Sequence, residues 1–382
     1  GDEITVAELM SEAGYATLGF NTNPHLGAST NFHQGFAEYE QFVPYLDAAR
    51  RSRPHPLLGA YPPADVVVST VLRRLGQGVD RPVFLWLHLM DPHSPYLPPE
   101  RYAELFRRGD SGFSDLEINE SVYHLLYQQQ GSLRAAARYP SPEARGLDRA
   151  AFLEHLRALY EAEVRFCDDE LGRLFEGLRA RSLWRDALVL VTADHGEELL
   201  DHGHVAHHEL TALAEELIRI PAILKPPGDR PPVRRVDELV RMVDLAPTIL
   251  DYAGLASAAG SADGLSLRPL VEGRTMAPLT AFYSTIRYGV ARDARWKYRL
   301  EKRPQGGGAP VERLFDIAAD PLERDDLAAR HPEVVEEMRA RYLDFIRRLN
   351  ARVAADLASA TKARVGVDDA ERERLEALGY LQ

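Results

Sequence analysis

The stretch VLVTADHGEELLDHGHVAH, residues 189–207, carries the strongest signal for the fold. Its apolar start leads directly into Asp194, His195 and Gly196. A short apolar run bounded by turn residues is typical of a buried strand of the parallel type. In open α/β sheets, ligand-binding side chains collect beyond the carboxyl ends of such strands. The stretch therefore predicts an α/β fold with a chemical site at Asp194 and His195.

Further histidines follow closely and favour a chemical site over a structural role. An isolated Asp-His-Gly sequence is about as typical of polar loop residues that cap the following helix as it is of a chemical site. A cluster of imidazoles has no such use in a helix cap, so the structural interpretation becomes the weaker one. The additional histidines are His202, His204, His207 and His208.

Length and composition limit the class of protein. The chain has 382 residues, of which 45% are hydrophobic and 27% are charged, enough for one large α/β domain and a smaller one. A net charge of −12 argues against a nucleic-acid surface. Cys167 is the only cysteine, so the chain has no internal disulfide and no cysteine-based zinc site. No apolar run approaches the ~20 residues of a membrane span.

A second stretch, PVFLWLHLMDPHSPY at residues 82–96, repeats the pattern of an apolar strand followed by polar residues. His93 lies in this polar part, between Pro92 and Pro95. Such a histidine is a candidate for chemistry at the end of a strand. The alternative is a histidine that the two prolines hold in a structural loop.

Helices and strands alternate through the first two thirds of the chain. The apolar periodicity predicts short helices near residues 6–13 and 63–75, and a long helix from Leu153 to Leu178. Cys167 lies on the apolar stripe of the long helix, which predicts a small core residue. Two further strands are expected at residues 15–20 and 217–224.

The carboxyl-terminal third has a different pattern. Beyond a segment rich in Gly, Ala and Ser, apolar and polar residues alternate as in an antiparallel sheet. We therefore predict two domains, an α/β domain over residues 1–265 and a smaller α+β domain over residues 266–382. Strands are expected within 280–286, 288–300 and 312–317, and helices near 331–350 and 367–379.

Eight segments, taken together in their order, resemble the bacterial sulfatases of the alkaline phosphatase superfamily. The resemblance implies a mixed, mostly parallel sheet between helices, a smaller carboxyl-terminal domain with an antiparallel sheet, and hydrolysis of sulfate esters. The segments are TVAELMSEAGYAT (5–17), HLMDPHSPY (88–96), YEAEVRFCDDELGRL (160–174), VTADHGEEL (191–199), EELIRIPAILKPPG (215–228), VDLAPTILDYAGL (243–255), LFDIAADPLERDDLA (314–328) and LEALGYL (375–381).

The resemblance also implies two segments that this sequence does not contain. Family members begin with a strand that carries two adjacent Asp metal ligands. A Cys/Ser-x-Pro-x-Arg motif follows, and its Cys or Ser is oxidised to the nucleophile formylglycine. No such motif occurs in the 382 residues. We therefore expect an amino-terminal truncation, rather than a half-site completed by another chain, and an inactive chain as given. Periplasm and cytoplasm both stay open, as does the oligomeric state.

The resemblance assigns one divalent metal ion to the site, with Asp194 and His195 among its ligands. A metal places positive charge against the anionic transition state of sulfate-ester cleavage. Calcium is the first expectation from the family. His195 stands where many sulfatases have Asn, and calcium rarely takes imidazole, so manganese or zinc is the alternative.

Two further residues receive substrate roles from the resemblance, and Lys297 is a third candidate because of its predicted position. His93 matches the histidine that binds the sulfate and protonates the leaving oxygen. His207 matches a position where the family has Lys or His near the sulfate, with His204 or His208 as alternatives. Lys297, in a strand of the carboxyl-terminal domain, could reach the sulfate from that side. An ordinary surface lysine is the alternative for Lys297.

Three functions follow from these observations. The first is a sulfatase that releases inorganic sulfate from a small-molecule or saccharide sulfate ester. The second is a phosphodiesterase or phosphonate monoester hydrolase of the same superfamily, in which Asp-His-Gly and one metal recur. The third is a non-catalytic remnant of the fold. The motif around His93 favours the first function over a two-zinc phosphatase, and no segment reveals the natural substrate.

Overall fold

The structure, a computed structural model, describes residues 4–27, 30–42, 55, 57, 61–109, 111–146, 148–207, 213–228, 234–259, 263–304 and 307–359, without the side chains of 355–359. Its chain contacts divide it into two compact units. Unit 1 comprises the described residues up to 185 together with 204–206. Unit 2 comprises residues 186–203 and the described residues from 207 onward. The domain boundary after residue 265 stays a prediction.

Helices and strands alternate through unit 1 and give way to a run of strands late in unit 2. In chain order they are α1 (Val6–Glu12), β1 (Ala16–Asn21), β2 (Glu38–Glu40), α2 (Ala64–Leu75), β3 (Val83–His88), α3 (Glu100–Phe106), α4 (Asp115–Gln129), α5 (Leu133–Ala136), α6 (Arg149–Ala180), β4 (Val189–Thr192), β5 (Glu198–Leu199), β6 (Val205–Ala206), α7 (Glu215–Ile218), β7 (Ala222–Lys225), α8 (Leu245–Tyr252), α9 (Arg268–Val271), β8 (Ala281–Ser284), β9 (Tyr288–Arg292), β10 (Trp296–Glu301), β11 (Val311–Asp316) and α10 (Pro332–Ser359).

A three-stranded parallel sheet organises unit 1, in the order β2-β1-β3. In the register of this sheet, Leu18 on β1 pairs with Glu38 on one side and with Leu85 on the other. Helices α2 and α6 bury their apolar faces against it, for example through Val71 and Leu174. This packing of helices on parallel strands is the arrangement expected of an α/β unit.

The first helix shows how local sequence fixes the entry to this sheet. Thr5 caps α1 by accepting a hydrogen bond from the Glu8 backbone, and the Glu8 side chain accepts one from the Thr5 backbone. This capping box satisfies two amide groups that the first turn would otherwise leave unpaired. Ala7 and Met10 are buried on the inner face of α1. The predicted helix-then-strand start is confirmed.

A four-stranded antiparallel sheet, in the order β11-β10-β9-β8, dominates the carboxyl-terminal part of unit 2. Helix α10 packs on it and buries Met338 and Tyr342 against residues such as Tyr298. A mixed α/β fold with a carboxyl-terminal antiparallel sheet was predicted, and it is confirmed.

Two strand predictions need correction in continuity or direction. A third, at residues 217–224, begins only at Ala222, because Glu215–Ile218 form helix α7. The single run predicted over residues 288–300 is two strands, β9 and β10. The Asp293 carboxylate accepts hydrogen bonds from the backbone of Arg295 and Trp296 and closes a turn between them. Alternation of apolar residues continues across a tight turn, so periodicity alone does not reveal it.

The second correction concerns β4, predicted as a buried strand of the parallel type. It pairs antiparallel with β7, and Val191 lies opposite Ile223. Its side chains are half-buried or exposed, and Ile223 is 64% exposed. An apolar run indicates a strand, but it does not specify the direction of the partner.

Some sequence predictions fall wholly or partly outside the described residues. The helix expected near 367–379 lies there, as does His208. Cys167, predicted as a small core residue, is half-buried on α6. A search of the described part of the chain found no helix long and apolar enough to cross a membrane.

Candidate functional site

Strand β4 ends at Thr192 and delivers Asp194 and His195 to a turn in unit 2. The Asp194 side chain is 62% exposed, and its Oδ1 accepts a hydrogen bond of 3.0 Å from the His195 backbone. This bond orients the carboxylate on its own backbone. The second oxygen, Oδ2, lies 3.7 Å from His195 Nε2.

Gly196 holds this turn against helix α7. Its N–H donates a hydrogen bond of 2.8 Å to the Leu217 carbonyl. A Cβ atom at this position would lie only 1.8 Å from the Glu216 carbonyl oxygen. Only glycine allows so close a backbone approach, which explains why it follows Asp194 and His195.

The hydrogen bonds of His195 define which ring nitrogen is available for chemistry. Nδ1 lies 2.8 Å from the Gly196 carbonyl oxygen, which can only accept a hydrogen bond. Nδ1 therefore carries the proton, and in the neutral ring Nε2 carries the lone pair. That nitrogen is the one beside Asp194. A backbone carbonyl that fixes the opposite ring nitrogen is the usual support of a metal-binding histidine.

His207 lies directly beside His195, with 3.8 Å between the ring centroids. Its Nδ1 lies 3.2 Å from Oε1 of Glu197, whose side chain is only 5% exposed. Unit 2 thus brings together Asp194, His195 and His207, three residues singled out in the sequence. Glu197 was missed, although its place two residues after His195 made it a candidate.

A second group of charged side chains supports the same loop from within unit 2. His202 Nδ1 and Glu216 Oε2 form an ion pair of 3.3 Å, and His202 Nε2 contacts the Leu322 carbonyl oxygen at 2.9 Å. The bond to Glu216 raises the pKa of His202 to about 8. Burial raises the pKa of the neighbouring Glu198 to about 7. Neither acidic residue was singled out from the sequence.

The donor set fits a divalent cation in part. Asp194 offers a hard oxygen and His195 a ring nitrogen, a combination that manganese and zinc accept. Within the ranges that the structure describes, no group of three or more His, Cys, Asp or Glu side chains is arranged to hold a metal ion. Asp194 and His195 are therefore two donors of a ligand set that needs more.

His93 belongs to unit 1, in the turn that follows β3. Its ring is half-buried, and its Nδ1 lies 2.5 Å from the Ser94 carbonyl oxygen, so Nδ1 carries the proton. Tyr61 packs edge-on against the ring and donates hydrogen bonds to the carbonyl groups of His93 and Pro95. The turn is thus held by a half-buried tyrosine that the sequence did not reveal.

Lys297 lies in β10 and is completely buried within unit 2. Its Nζ donates to Glu323 at 2.5 Å and to the Leu213 carbonyl at 2.7 Å, and Glu215 is 3.4 Å away. A buried ammonium needs such partners, because an unpaired charge in the interior is costly. In the structure the Lys297 charge is therefore paired with the Glu323 carboxylate inside unit 2. Its contact with a sulfate group stays a prediction.

The two alternatives to His207 have different positions. His204 is half-buried and belongs to unit 1. His208 lies outside the described residues. Of the three histidines, His207 is the one whose contact with His195 the structure shows.

Two protein-family models match the sequence. The Sulfatase model matches residues 2–255. The model described as N-sulphoglucosamine sulphohydrolase, C-terminal, matches residues 203–347. Together they cover the Asp194 loop and the antiparallel sheet.

Individual relatives agree with this assignment. The multifunctional alkaline phosphatase superfamily protein PehA of Trinickia caryophylli is 30% identical over 202 residues, covering 51% of this chain and 38% of the relative. The Delta 4,5-hexuronate-2-O-sulfatase of Bacteroides thetaiotaomicron is 28% identical over 208 residues, covering 51% of this chain and 42% of the relative. The chain spans less than half the length of these two relatives.

A solved structure supports the fold. The phosphonate monoester hydrolase of Agrobacterium radiobacter superimposes with a TM-score of 0.64 at 20% identity, covering 92% of this chain and 81% of that one. At this identity the likeness concerns the fold alone. Because the Sulfatase model matches residues 2–255, well over half of the sequence, the chain belongs to the sulfatase family.

Proposed function

We propose that this chain is part of a sulfatase that releases inorganic sulfate from an organic sulfate ester. In this proposal a divalent metal binds at Asp194 and His195, and a formylglycine nucleophile lies outside the 382 residues. Membership of the sulfatase family supports the reaction class. The observation that carries the site is the group of Asp194, His195 and His207, because it joins a carboxylate to two imidazoles at the end of a strand.

The metal, when bound, supplies positive charge against the sulfate and activates the nucleophile. Asp194 would hold it through Oδ2 and His195 through Nε2. The Gly196 carbonyl keeps the His195 ring in the tautomer that this role requires. Calcium remains our first assignment from the family, with manganese or zinc as alternatives because of the imidazole donor.

The other histidines act on the substrate in this proposal. With His93 Nδ1 donating to the Ser94 carbonyl, Nε2 is the nitrogen proposed to face the substrate. In the doubly protonated ring it would donate a hydrogen bond to the sulfate or protonate the leaving oxygen. Glu197 accepts a hydrogen bond from His207 Nδ1 and orients that ring. A positively charged His207 would stabilise the sulfate in the transition state.

A phosphonate monoester hydrolase is the second candidate. The specific observation in its favour is the Asp194-His195 pair, with imidazole where many sulfatases have Asn. The relative PehA, 30% identical, is described as a multifunctional protein of the alkaline phosphatase superfamily, which is compatible with more than one hydrolytic activity. Both reactions need the same metal and the same kind of nucleophile. They differ in the charge and shape of the group that is cleaved.

The natural substrate is proposed only as a class, a small-molecule or saccharide sulfate ester. One relative is a sulfatase of an unsaturated hexuronate, which supports a saccharide. The net charge of −12 gives no support to a nucleic-acid partner.

The first experiment uses the chain as it is. Calorimetric titration with Ca²⁺, Mn²⁺ and Zn²⁺ should show weak binding of one metal, because only part of the ligand set is present. Asp194→Ala should abolish that binding. Asp201→Ala, which removes an exposed carboxylate from the same loop, should leave it unchanged. We expect no hydrolysis of 4-nitrophenyl sulfate, and turnover at rates typical of the family would refute the proposed external nucleophile.

The second experiment separates the two candidate functions. The upstream coding sequence should encode a Cys- or Ser-x-Pro-x-Arg motif. A polypeptide extended by it is assayed with 4-nitrophenyl sulfate and with a 4-nitrophenyl phosphonate monoester. A higher kcat/KM for the sulfate supports the sulfatase, and a higher value for the phosphonate supports the alternative. Absence of both activities from a folded, metal-loaded protein would support the non-catalytic remnant.

A further inference from the structure

A small cavity in unit 1 lies apart from every residue assigned above. It has a volume of about 100 Å³. Side chains of α6, including His155, line it together with residues that follow α3, among them Arg107, Arg108 and Ser111. Three polar side chains in and beside it form a continuous chain of hydrogen bonds.

That chain runs from Ser111 through His155 to Asp115. Ser111 Oγ lies 2.7 Å from His155 Nδ1, and His155 Nε2 lies 2.8 Å from Asp115 Oδ1. The carboxylate can only accept, so Nε2 carries the ring proton and Nδ1 has a lone pair. The Ser111 hydroxyl therefore donates to Nδ1. Its other acceptor, the Phe113 carbonyl oxygen, is more distant at 3.4 Å.

Two of the three residues lie on helices, and Ser111 lies in the connection between α3 and α4. His155 lies on the long helix α6, and its side chain is 10% exposed. Asp115 is the first residue of α4, which begins with a capping box between Ser114 and Glu117. These supports meet the geometric requirement of a catalytic group, which must be positioned before the substrate arrives.

We propose that Ser111, His155 and Asp115 form a second catalytic site, a Ser-His-Asp triad that hydrolyses small carboxylic esters. The roles are those of the serine hydrolases, with Ser as nucleophile, His as base and Asp as the group that orients the ring. The ring is used with Nδ1 toward Ser and Nε2 toward Asp. The chemistry requires one accepting and one donating nitrogen, and both are present.

The reaction is an acyl transfer in two balanced steps. Ser111 Oγ attacks the ester carbonyl carbon while its proton passes to His155 Nδ1. The bond to the alkoxide then breaks, and the alkoxide leaves with that proton as an alcohol. Water then attacks the carbonyl carbon of the acyl-serine and gives a proton to His155. The bond to Ser111 Oγ breaks, the carboxylic acid leaves, and His155 returns the proton to Ser111. No oxidant or cofactor is needed.

Size and charge of the cavity limit the substrate. A volume of about 100 Å³ corresponds to roughly three water molecules. This space matches a small acyl group such as acetyl. Arg107 and Arg108 line the cavity together with Glu154, and each arginine also pairs with a carboxylate, that of Glu100 or Glu161. Their guanidinium groups supply the N–H donors for the oxyanion that forms on the ester. The Phe113 N–H, 3.3 Å from Ser111 Oγ, stabilises the oxygen as it loses its proton.

The test uses 4-nitrophenyl acetate as substrate and a fluorophosphonate probe as covalent label. The unmutated chain should hydrolyse the acetate ester, and peptide mapping should locate the label on Ser111. Ser111→Ala and His155→Gln should each lower the hydrolysis rate by at least about 100-fold, because the residues of a triad act as a unit. The label should be lost in both variants.

Two matched variants control for general effects. Ser132→Ala removes another hydroxyl of unit 1, one that does not cap its helix through its side chain. His124→Gln removes an imidazole that contacts the carbonyl oxygens of Ala136 and Tyr139. Both should hydrolyse and label like the unmutated chain. Melting curves identify any variant that fails to fold, and Ser111→Cys then serves as the second test, with iodoacetamide alkylation that depends on His155.

The proposal is overturned by any of three results. They are an unmutated chain that does not react with the probe, a label on a residue other than Ser111, and hydrolysis that persists in folded Ser111→Ala.

Discussion

Two groups of acidic and imidazole side chains lie in or beside the loop that carries Asp194, and they differ in exposure. Asp194 and His195 have side chains that are 62% and 35% exposed. Glu198 is completely buried, and its partners in the second group, His202 and Glu216, have side chains that are 24% and 17% exposed. Within one short part of unit 2, the Asp194–His195 pair is thus more exposed than the group formed by buried Glu198 and half-buried His202 and Glu216.

Because the two groups differ in burial, we assign them different roles. Exposed donors remain hydrated and can exchange water for a metal ion. Buried charges are costly unless paired, so they persist where they fix a structure. We therefore interpret Asp194 and His195 as the binding pair, and His202 and Glu216 as the ion pair that holds their loop. The following predictions test this division.

The largest effect is expected for Asp194→Ala in a polypeptide that carries the nucleophile segment. Loss of a charged ligand should empty the metal site, so turnover should fall by more than ~10⁴-fold, the upper range for loss of a single catalytic group. Elemental analysis measures the metal, and sulfate release measures turnover. A variant that keeps its metal would remove Asp194 from the ligand set.

A smaller loss of rate is expected for His93→Ala in the same polypeptide. It removes one hydrogen bond or one proton donor near the sulfate, which commonly costs ~10²–10⁴-fold in rate. The metal content should stay that of the unmutated protein. If His93→Ala empties the metal site instead, His93 is a ligand and a two-metal phosphodiesterase becomes the better interpretation. If neither quantity changes, its motif is structural.

The buried group should affect stability rather than metal binding. Burial raises the pKa of Glu198 to about 7 in the folded chain from 4.5. The raised pKa makes a contribution to the free energy of unfolding that is fully present below pH 4.5 and lost as the pH rises through 7. It amounts to roughly 3 kcal/mol.

Glu198→Gln should remove this dependence from the free energy of unfolding, measured in denaturant at several pH values. Asp201→Asn, on an exposed residue of the same loop, should retain it. If Glu198→Gln leaves the pH dependence of the unfolding free energy unchanged, burial does not raise the pKa of Glu198 in the folded state.

The smallest effect is expected for His202→Gln. The hydrogen bond to Glu216 raises the pKa of His202 from 6.5 to about 8. Its stabilisation is therefore fully present below pH 6.5 and lost as the pH rises through 8, and it amounts to about 2 kcal/mol. His202→Gln should flatten the pH dependence of the unfolding free energy in this window, which overlaps that of Glu198 only at its lower end.

His331 provides the matched control for His202. It pairs with Glu333 at 3.4 Å, but these side chains are 40% and 70% exposed. An exposed ion pair typically contributes less than ~1 kcal/mol, so His331→Gln should change the unfolding free energy little. Equal effects of the two substitutions would remove the distinction between buried and exposed pairs.

Much of the fold could be predicted because local sequence determines local structure. The strand predicted at residues 15–20 is observed as Ala16–Asn21, and the helix predicted at 63–75 as Ala64–Leu75. Both follow from side-chain periodicity within the element itself. The antiparallel direction of the strand after Leu188 could not be predicted in this way, because its partner is more than thirty residues away.

The residues of the candidate site likewise differ in whether local sequence could reveal them. Asp194 and His195 could be predicted because they adjoin in sequence at the end of a strand. The contact between His195 and His207 depends on the path of the loop between them, which no local pattern gives. The pairing of Lys297 with Glu323 depends on the packing of distant segments, so its burial was not foreseen.

The hydrogen bond from Gly196 to Leu217 also has a consequence for motion. The turn that carries Asp194 and His195 cannot fluctuate independently, since its amide proton is released to solvent only when the turn separates from the helix at Glu215–Ile218. Deuterium uptake at Gly196 should therefore follow the opening of that helix rather than the exposure of its neighbours. The two donors would then gain and lose their mobility together with a segment that carries neither of them.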